Sequence, residues 1–468
     1  MTRHDGESVV KSRPRALSGL SHFLHSTTES LPDRAWNIAA FMEIDGAISK
    51  AALTRLVKER LTSKFPRLRS VISGRSITGY QLVDLGDNWS PSRNIKRLNY
   101  EIADSEIERT FERVITEPFK PDIPEWEFII CPRESTTLIF ARFNHSLLDG
   151  FSVVQLLLTM TDQLSPRAVD VRPLNTPTSI MTNLFTLLRA FLLIPFIISN
   201  LLIVPLLGDS TSPFAPYGKR RSPNAVKFLP SVKLHRLKQL ARQSSPKATV
   251  NDALLGLIGG AVLRYMKIQG LPGISKLTGC FTANIRSHAV ASSAELWGPT
   301  LGNRSLQFYC PIPTLEISTV DRISRVSQFT QKLKASPVGV VAPIILRLIE
   351  FFFALSWLQR PLTWLLMGEK YCLGKTFGLS NVPGPAEIRS LGGCPVMCIS
   401  ASVNLPQMFT AFSYNGEVRV VATLDRVHID GDLMVQCFRE ELDSSGVITK
   451  LKRESSESRA SSSTVSDD

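Results

Sequence analysis

An α/β chain of two lobes is what the sequence predicts, and three observations carry that reading. Strand and helix signals alternate from Trp36 to Met160, and the same texture returns from Asp252 to Val421. Between them lies a proline-marked, strongly apolar crossover, roughly residues 165–230. The 468 residues allow about two to four units of ordinary domain size. Alternation of this kind calls for sheets covered by helices.

The elements follow in order. Trp36 to Ile44 is an apolar run that stops at Asp45-Gly46, a strand ending in a turn. Ala51 to Phe65 places Leu53, Leu56, Val57 and Leu61 on one helical face and is closed by Pro66. Short strands are expected at Val71-Ile72 and Tyr80 to Val83, then a helix over Ile107 to Ile115. Thr136 to Phe143 reads as a strand and Val153 to Met160 as a helix.

The crossover begins with Pro166, Pro173 and Pro177. It continues through Leu184 to Leu207, apolar except for Thr186, Arg189, Ser199 and Asn200, and ends at Lys219-Arg220-Arg221. Its length approaches the ~20 residues that span a bilayer. Arg189, Pro195 and Pro205 leave two expectations open, a membrane-dipping or spanning helix and a buried, tunnel-lining one. A second apolar stretch, Pro343 to Met367, mixes Phe351-Phe352-Phe353, Trp357 and Trp364 with Arg347, Glu350 and Arg360, as interfacial or core-facing helices do.

In the second half, Asp252 to Tyr265 is helical, and Gly256, Gly259 and Gly260 allow close backbone packing. Gly279 to Ile285 and Leu306 to Ile312 read as strands, Val320 to Leu333 as a helix. Met408 to Val421 is a hairpin turning at Asn415-Gly416, the dipeptide of a type I′ turn. A last helix starts near Asp432, and the Ser-rich end from Glu454 is expected to be disordered.

Composition narrows the function. The formal net charge of +13 favours an anionic partner, whether nucleic acid, a lipid surface or a phosphate-bearing cosubstrate. No basic stripe with interleaved aromatics supports nucleic acid. The seven cysteines are scattered and form no Cys-x-x-Cys pair, so neither a zinc site nor a disulfide framework is expected. The polar amino terminus shows no apolar stretch of the kind a secretory signal needs.

Among seven histidines, His145 stands apart by its place. It directly follows the strand Thr136 to Phe143, and Asp149-Gly150 follows it just before a helix. A strand-to-helix junction projects a side chain into a cleft from a rigid base. Imidazole, with an ordinary pKa of ~6.5, can take a proton from an alcohol at neutral pH. Asp149 can cap the helix or accept hydrogen bonds from an arginine such as Arg286, and Gly150 permits a sharp turn.

The stretch Phe143-Asn144-His145-Ser146-Leu147-Leu148-Asp149-Gly150 resembles the His-His-x-x-x-Asp-Gly motif of CoA-dependent acyltransferases and peptide-synthetase condensation domains. Within that superfamily the chain looks most like the wax ester synthase/diacylglycerol acyltransferase family. Ala248-Thr249-Val250-Asn251-Asp252 is similar to its Asn-Asp motif opening a helix, and Pro124-Glu125-Trp126 to its Pro-Leu-Trp motif with Glu125 in place of Leu. Gly302-Asn303, Ser380-Asn381-Val382-Pro383-Gly384-Pro385 and Ser413-Tyr414-Asn415-Gly416 match further motifs in order, as do Leu17-Ser18-Gly19-Leu20 and Pro66-Arg67-Leu68-Arg69. The first His of the doublet is replaced by Asn144.

The resemblance implies a two-lobed fold like chloramphenicol acetyltransferase, mixed sheets flanked by helices with a tunnel between the lobes. It implies an N-terminal lobe over 1–175, a crossover over 176–230, a C-terminal lobe over 231–450 and a tail over 451–468. It further implies an O-acyltransferase with acyl-CoA as cosubstrate, no permanently bound cofactor and no metal. The acceptor would be a fatty alcohol or diacylglycerol, and the enzyme would sit on a membrane, expected to be the endoplasmic reticulum with its lobes in the cytosol. His145 and Asp149 would be the catalytic pair, supported by Asn144, Gly150, Asn251 and Asp252, with Trp126, Ser380 and Asn381 along the tunnel.

Blander readings stand beside these. Asn251 would serve as an N-cap, Trp126 as core packing, and Ser380 and Asn381 as part of a loop shaping the cleft. A smaller alcohol or amine acceptor, or a lipid-binding protein that has lost turnover, are the alternatives for the whole chain. A plant-type BAHD acyltransferase is disfavoured, because Thr376-Phe377-Gly378-Leu379 does not supply its Asp-Phe-Gly-Trp-Gly motif.

Overall fold

Long-range strand pairing, rather than chain order, organises the molecule. The computed structural model describes residues 15–30, 35–75, 79–120, 122–163, 184–204, 224–271, 277–286, 301–315, 317–358, 361 and 375–446. The proline link, Lys219 to Arg221, Trp364 and the Ser-rich tail lie outside the described residues.

In chain order the first strands are β1 (Arg15–Ala16), β2 (Asn37–Asp45), β3 (Ser70–Arg75), β4 (Gly79–Asp84), β5 (Ile95–Arg97), β6 (Trp126–Pro132) and β7 (Thr136–Asn144). The remainder are β8 (Asn224–Phe228), β9 (Val232–Lys233), β10 (Leu277–Asn284), β11 (Ser305–Ile312), β12 (Phe377–Pro383), β13 (Ser390–Leu391), β14 (Cys394–Val403), β15 (Met408–Tyr414) and β16 (Glu417–Asp425). The helices used below are α1 (Gly19–Ser30), α2 (Lys50–Val57), α3 (Ile107–Thr116), α4 (Gly150–Met160), α5 (Leu184–Ile198), α6 (Leu234–Ser244), α7 (Val250–Ile268), α8 (Thr319–Lys334), α9 (Val338–Ala354) and α10 (Gly431–Ser444).

Two large mixed sheets result. The first runs β13-β14-β2-β7-β6-β5, and the second β11-β10-β12-β15-β16-β8 with β9 beside β16. At the centre of the first sheet β2 and β7 pair antiparallel over nine positions, from Asn37 opposite Asn144 to Asp45 opposite Thr136. Both strands are buried on both faces, which is why their apolar runs are nearly continuous instead of alternating. One face packs into the main core of the first lobe, and the other meets Phe111 and Ile115 of α3.

A linear division of the chain differs from this pairing in two respects: β8, inside the expected crossover 176–230, pairs with β16 in the second sheet, and a later segment crosses to the first. Ser390–Val403 leaves the second half and joins the first sheet, β14 pairing antiparallel with β2 from Val403↔Ile38 to Val396↔Ile44. From Cys398 to Val403 β14 is buried on both sides, as a strand inside a covered sheet is. The sequence stretch 231–450 therefore builds parts of both lobes.

The second lobe stacks α7, α8 and α10 on its sheet. Close approach at α7 needs its glycines: a Cβ on Gly256 would lie 2.4 Å from Ile323, and one on Gly259 2.6 Å from Ile312. The β15–β16 hairpin turns at Asn415 and Gly416 with φ of 48° and 72°, the left-handed pair that a type I′ turn requires.

Most helix boundaries fall near their expected places, and two differ. α4 starts at Gly150, three residues early, because Asp149 accepts a hydrogen bond from the Ser152 N–H and caps the helix. Residue 251 is not the cap of α7. Thr249 caps it, its hydroxyl accepting from the Asp252 N–H while the Asp252 carboxylate accepts from the Thr249 N–H, a reciprocal capping box.

Among the described residues no helix is long and apolar enough to cross a membrane. The crossover helix α5 continues through a π-helical turn at Ser199–Ile203 that docks on the second sheet. There the Asn200 side chain donates to the Tyr309 carbonyl at 2.6 Å and accepts from the Tyr309 N–H at 3.0 Å, so it behaves as an extra edge partner of β11. Ile197 and Leu201 are buried, whereas Phe191 and Leu192 are exposed.

Candidate active site

β7 delivers His145 to the junction of the two sheets. The turn that follows is held from both ends: the His145 N–H donates to the Trp36 carbonyl at 2.6 Å, and Asn144 Oδ1 accepts from the Ser146 N–H at 2.9 Å. Asn thus supplies a local turn at the position where the family motif has its first histidine.

The state of the imidazole follows from its neighbour Asn303. The amide Nδ2 of Asn303 donates to the His145 carbonyl at 2.7 Å and to Ser21 Oγ at 3.1 Å. A carbonyl oxygen only accepts, so this contact fixes which end of the amide is nitrogen. Asn303 Oδ1 is therefore the atom 3.0 Å from His145 Nδ1, and Nδ1 must carry the proton. Nε2 is left with its lone pair. Burial pushes the His145 pKa below its ordinary value, against the opposing pull of the Asp149 charge, so the ring is neutral at pH 7 and basic at Nε2.

His145 faces a cavity of about 560 Å³. Its walls come from both lobes: Leu20 and Phe23 on α1, Val153 and Leu157 on α4, Leu346 and Phe353 on α9, Leu201 of the crossover, and strands of the second sheet. The volume and apolar lining are those of a small-molecule site with a few placed polar groups.

Asp149 does not reach the imidazole. It is 2% exposed and forms a two-pronged ion pair with Arg286, at 2.9 and 3.0 Å, across the lobe boundary. It also accepts from Ser152 and from the Arg304 N–H, while Arg286 donates to the Gly302 carbonyl. Burial alone would raise the Asp149 pKa, but Arg286 and these N–H donors hold it below the usual carboxylate range. The pair fastens the start of α4 to the loop that presents Asn303. Gly150 lines the cavity beside Val382.

The remaining sequence-predicted positions separate into two groups. Ser380 lines the cavity, whereas Asn381, one residue on, does not. Trp126 is core: its Nε1–H donates to the Leu68 carbonyl at 2.6 Å and its ring packs edge-on against Trp89. Asn251 and Asp252 lie outside the cavity wall, Asp252 in the capping box and accepting from the Thr330 hydroxyl. Asn303 is the functional residue whose role sequence reasoning missed. The Gly302-Asn303 pair was visible as a motif, but nothing local indicated a contact across 158 residues.

The two departures from the family pattern touch. The Asn144 N–H donates to the Glu125 carbonyl at 2.9 Å, and its side-chain amide opposes the rise in the pKa of the half-buried Glu125 carboxyl, which desolvation pushes up to about 7. Glu125 Oε2 has no hydrogen-bond partner and lies 3.6 Å from His25 Nδ1, equally unpartnered, on α1. Burial lowers the His25 pKa to about 4.

Comparison with known proteins fits this geometry. The segment 301–445 matches the WS/DGAT C-terminal domain family. That segment contributes Asn303, the cavity-facing strands β11, β12 and β15, and the exchanged strand β14.

The whole chain shares its fold with the wax ester synthase/diacylglycerol acyltransferase of Marinobacter aquaeolei VT8, with a TM-score of 0.56 at 15% identity over 92% of this chain and 100% of that one. The starter condensation domain of rhizomide synthetase, in complex with C8-CoA and Leu-SNAC, superposes with a TM-score of 0.59 at 12% identity over 92% and 94% of the two chains. The first condensation domain of the calcium-dependent antibiotic synthetase gives 0.60 at 15% identity over 93% and 96%. No curated protein matches by sequence. The fold is therefore the two-lobed one shared by these structures, with mixed sheets flanked by helices.

Proposed function

We propose that this protein is an acyl-CoA-dependent O-acyltransferase of the wax ester synthase/diacylglycerol acyltransferase type. It would move a long-chain acyl group to a fatty alcohol or diacylglycerol. The observation that carries the reading is a neutral imidazole with a free Nε2 in the wall of an apolar cavity built by both lobes.

In this mechanism His145 Nε2 removes the proton from the acceptor hydroxyl as the oxygen attacks the thioester carbonyl. The tetrahedral intermediate collapses, the C–S bond breaks, and the imidazolium returns the proton to the CoA thiolate. Asn303 keeps the reactive tautomer by accepting from Nδ1–H and steadies the imidazolium that forms. Asp149 positions the loop through Arg286. Acyl-CoA is a cosubstrate, and the chemistry asks for no resident cofactor.

The same reading places the protein on a membrane surface, at the cytosolic side of the endoplasmic reticulum, where such acceptors dissolve. Exposed Phe191 and Leu192 on α5 and Phe351 and Phe352 on α9 support it, since these helices adjoin and the cavity is lined by Leu346, Ile349 and Phe353 of α9 and by Leu201 of the turn that follows α5.

The test is incubation of purified protein with palmitoyl-CoA and either hexadecanol or a diacylglycerol, beside His145→Ala. Loss of a positioned base is expected to slow ester formation ~10²–10⁴-fold. Full ester yield from His145→Ala would remove the proposed mechanism.

A further inference from the structure

The cavity is not apolar throughout. Four neighbouring strands of the second sheet turn polar side chains into it, among them Gln307 on β11 (with Ser305 and Tyr309 to either side), Thr282 on β10, Ser380 on β12 and Thr410 on β15. They form a row. Thr282 pairs with Gln307 and Ser380 with Thr410, and the Phe281↔Leu379 pairing sets Thr282 and Ser380 side by side one step further on.

The adjacent residues Phe281, Phe308, Leu379 and Phe409 point the other way and are buried in the core of the second lobe. Polar-out, apolar-in alternation is what a sheet shows when one face meets water. Here the polar face meets a cavity whose other walls are aliphatic and aromatic. Thr410 is 5% exposed, and its hydroxyl has no hydrogen-bond partner. A buried hydroxyl left unpaired is unfavourable, and a ligand oxygen reaching the row would relieve it.

The row is also at a useful distance. Val382, two residues beyond Ser380 on β12, faces the cavity beside Gly150 at the start of α4. Two residues of strand span about 7 Å. His145 and the row line the same cavity, so one small molecule can reach both.

Resting on acyl transfer at His145, we propose that this row is a subsite for ester carbonyls of the acyl acceptor, and that the acceptor is a diacylglycerol rather than a simple fatty alcohol. The hydroxyl and amide groups of the row donate to the carbonyl oxygens flanking the free hydroxyl of a diacylglycerol. An alkanol offers the row only methylenes and leaves those groups unpaired, the situation in which a polar site discriminates most strongly.

The test uses the full chain and Thr282→Val/Thr410→Val, which exchanges two hydroxyls for methyl groups. Rates with palmitoyl-CoA are compared for 1,2-dioctanoylglycerol and for hexadecanol. The unmodified protein is expected to prefer the diacylglycerol, and the ratio of the two kcat/KM values to fall about 10-fold or more in the variant. In parallel, carbonyl-labelled dioctanoylglycerol bound to the protein is followed by infrared difference spectroscopy. The ester band is expected at lower wavenumber than in hydrocarbon, and to move back up in the variant. An unchanged ratio, or both acceptors slowing in step, overturns the subsite and leaves acyl transfer standing. Ester from neither acceptor overturns the transfer reading instead. The infrared arm needs no turnover and still decides the row: a band that does not respond to the variant means that water, not lipid, occupies it.

Discussion

Two carboxylates bracket the His145 loop, and they are housed in opposite ways. Asp149 receives two N–H groups from Arg286, two hydrogen bonds from Ser152 and one from the Arg304 N–H, and its pKa is held below the ordinary carboxylate value. Glu125 has only the nearby Asn144 amide to oppose desolvation and, 3.6 Å away, an imidazole that does not close a hydrogen bond; its pKa rises to about 7. Desolvation is common to both. The number of donors decides which one keeps its charge.

Breaking the satisfied pair is expected to have the largest effect. Arg286→Met leaves Asp149 charged and unpaired in the interior, a change that costs about 3–5 kcal/mol. A lower urea midpoint and loss of ester formation would register it, and adding Asp149→Asn should recover much of the midpoint. Equal stability with and without Arg286 would mean that the lobes are not held there.

The unsatisfied pair predicts a pH dependence. The folded pKa of Glu125 lies above its unfolded value, so the stability it contributes is complete below pH ~4.5 and is lost as pH rises through about 7. His25 is depressed to about 4, so its contribution is complete above pH ~6.5 and is lost as pH falls toward 4. The two slopes oppose each other between those limits. Glu125→Gln removes one of them. It is expected to raise stability at pH 8 by on the order of 2 kcal/mol, with little change at pH 4.5. Denaturant midpoints at the two pH values check the sign.

A smaller effect is expected at Asn144→Ala. Its amide opposes the rise in the Glu125 pKa and its side-chain oxygen accepts from the Ser146 N–H, so removal should cost about 1–2 kcal/mol. It should also move the pH transition assigned to Glu125 upward. A transition that stays in place would show that Asn144 does not support the charge.

Much of this was legible before any coordinates. Apolar periodicity placed α2, α3 and α8 and the β15–β16 hairpin, because those signals are local. His145 stood out from its position between a strand and a helix, and Arg286 as a partner for Asp149. What escaped was register. β14 was not among the expected strands, and only its pairing with β2 reveals that this stretch belongs to the first sheet. Asn303 on His145, Glu125 against Asn144 and the row from Gln307 to Thr410 are likewise contacts between segments far apart in sequence. The cap of α7 was misjudged by two residues for a local reason: Thr and Asn both suit that position, and only Thr249 has an acid three residues later.

The borrowed strand has a consequence for cutting the protein up. Residues 15–163 expressed by themselves would present the long inner edge of β2 unpaired and apolar on both sides, a template for clumping with other copies. Supplying 375–446 as a second polypeptide should restore solubility by closing that gap, so the halves are better regarded as a clasp than as beads.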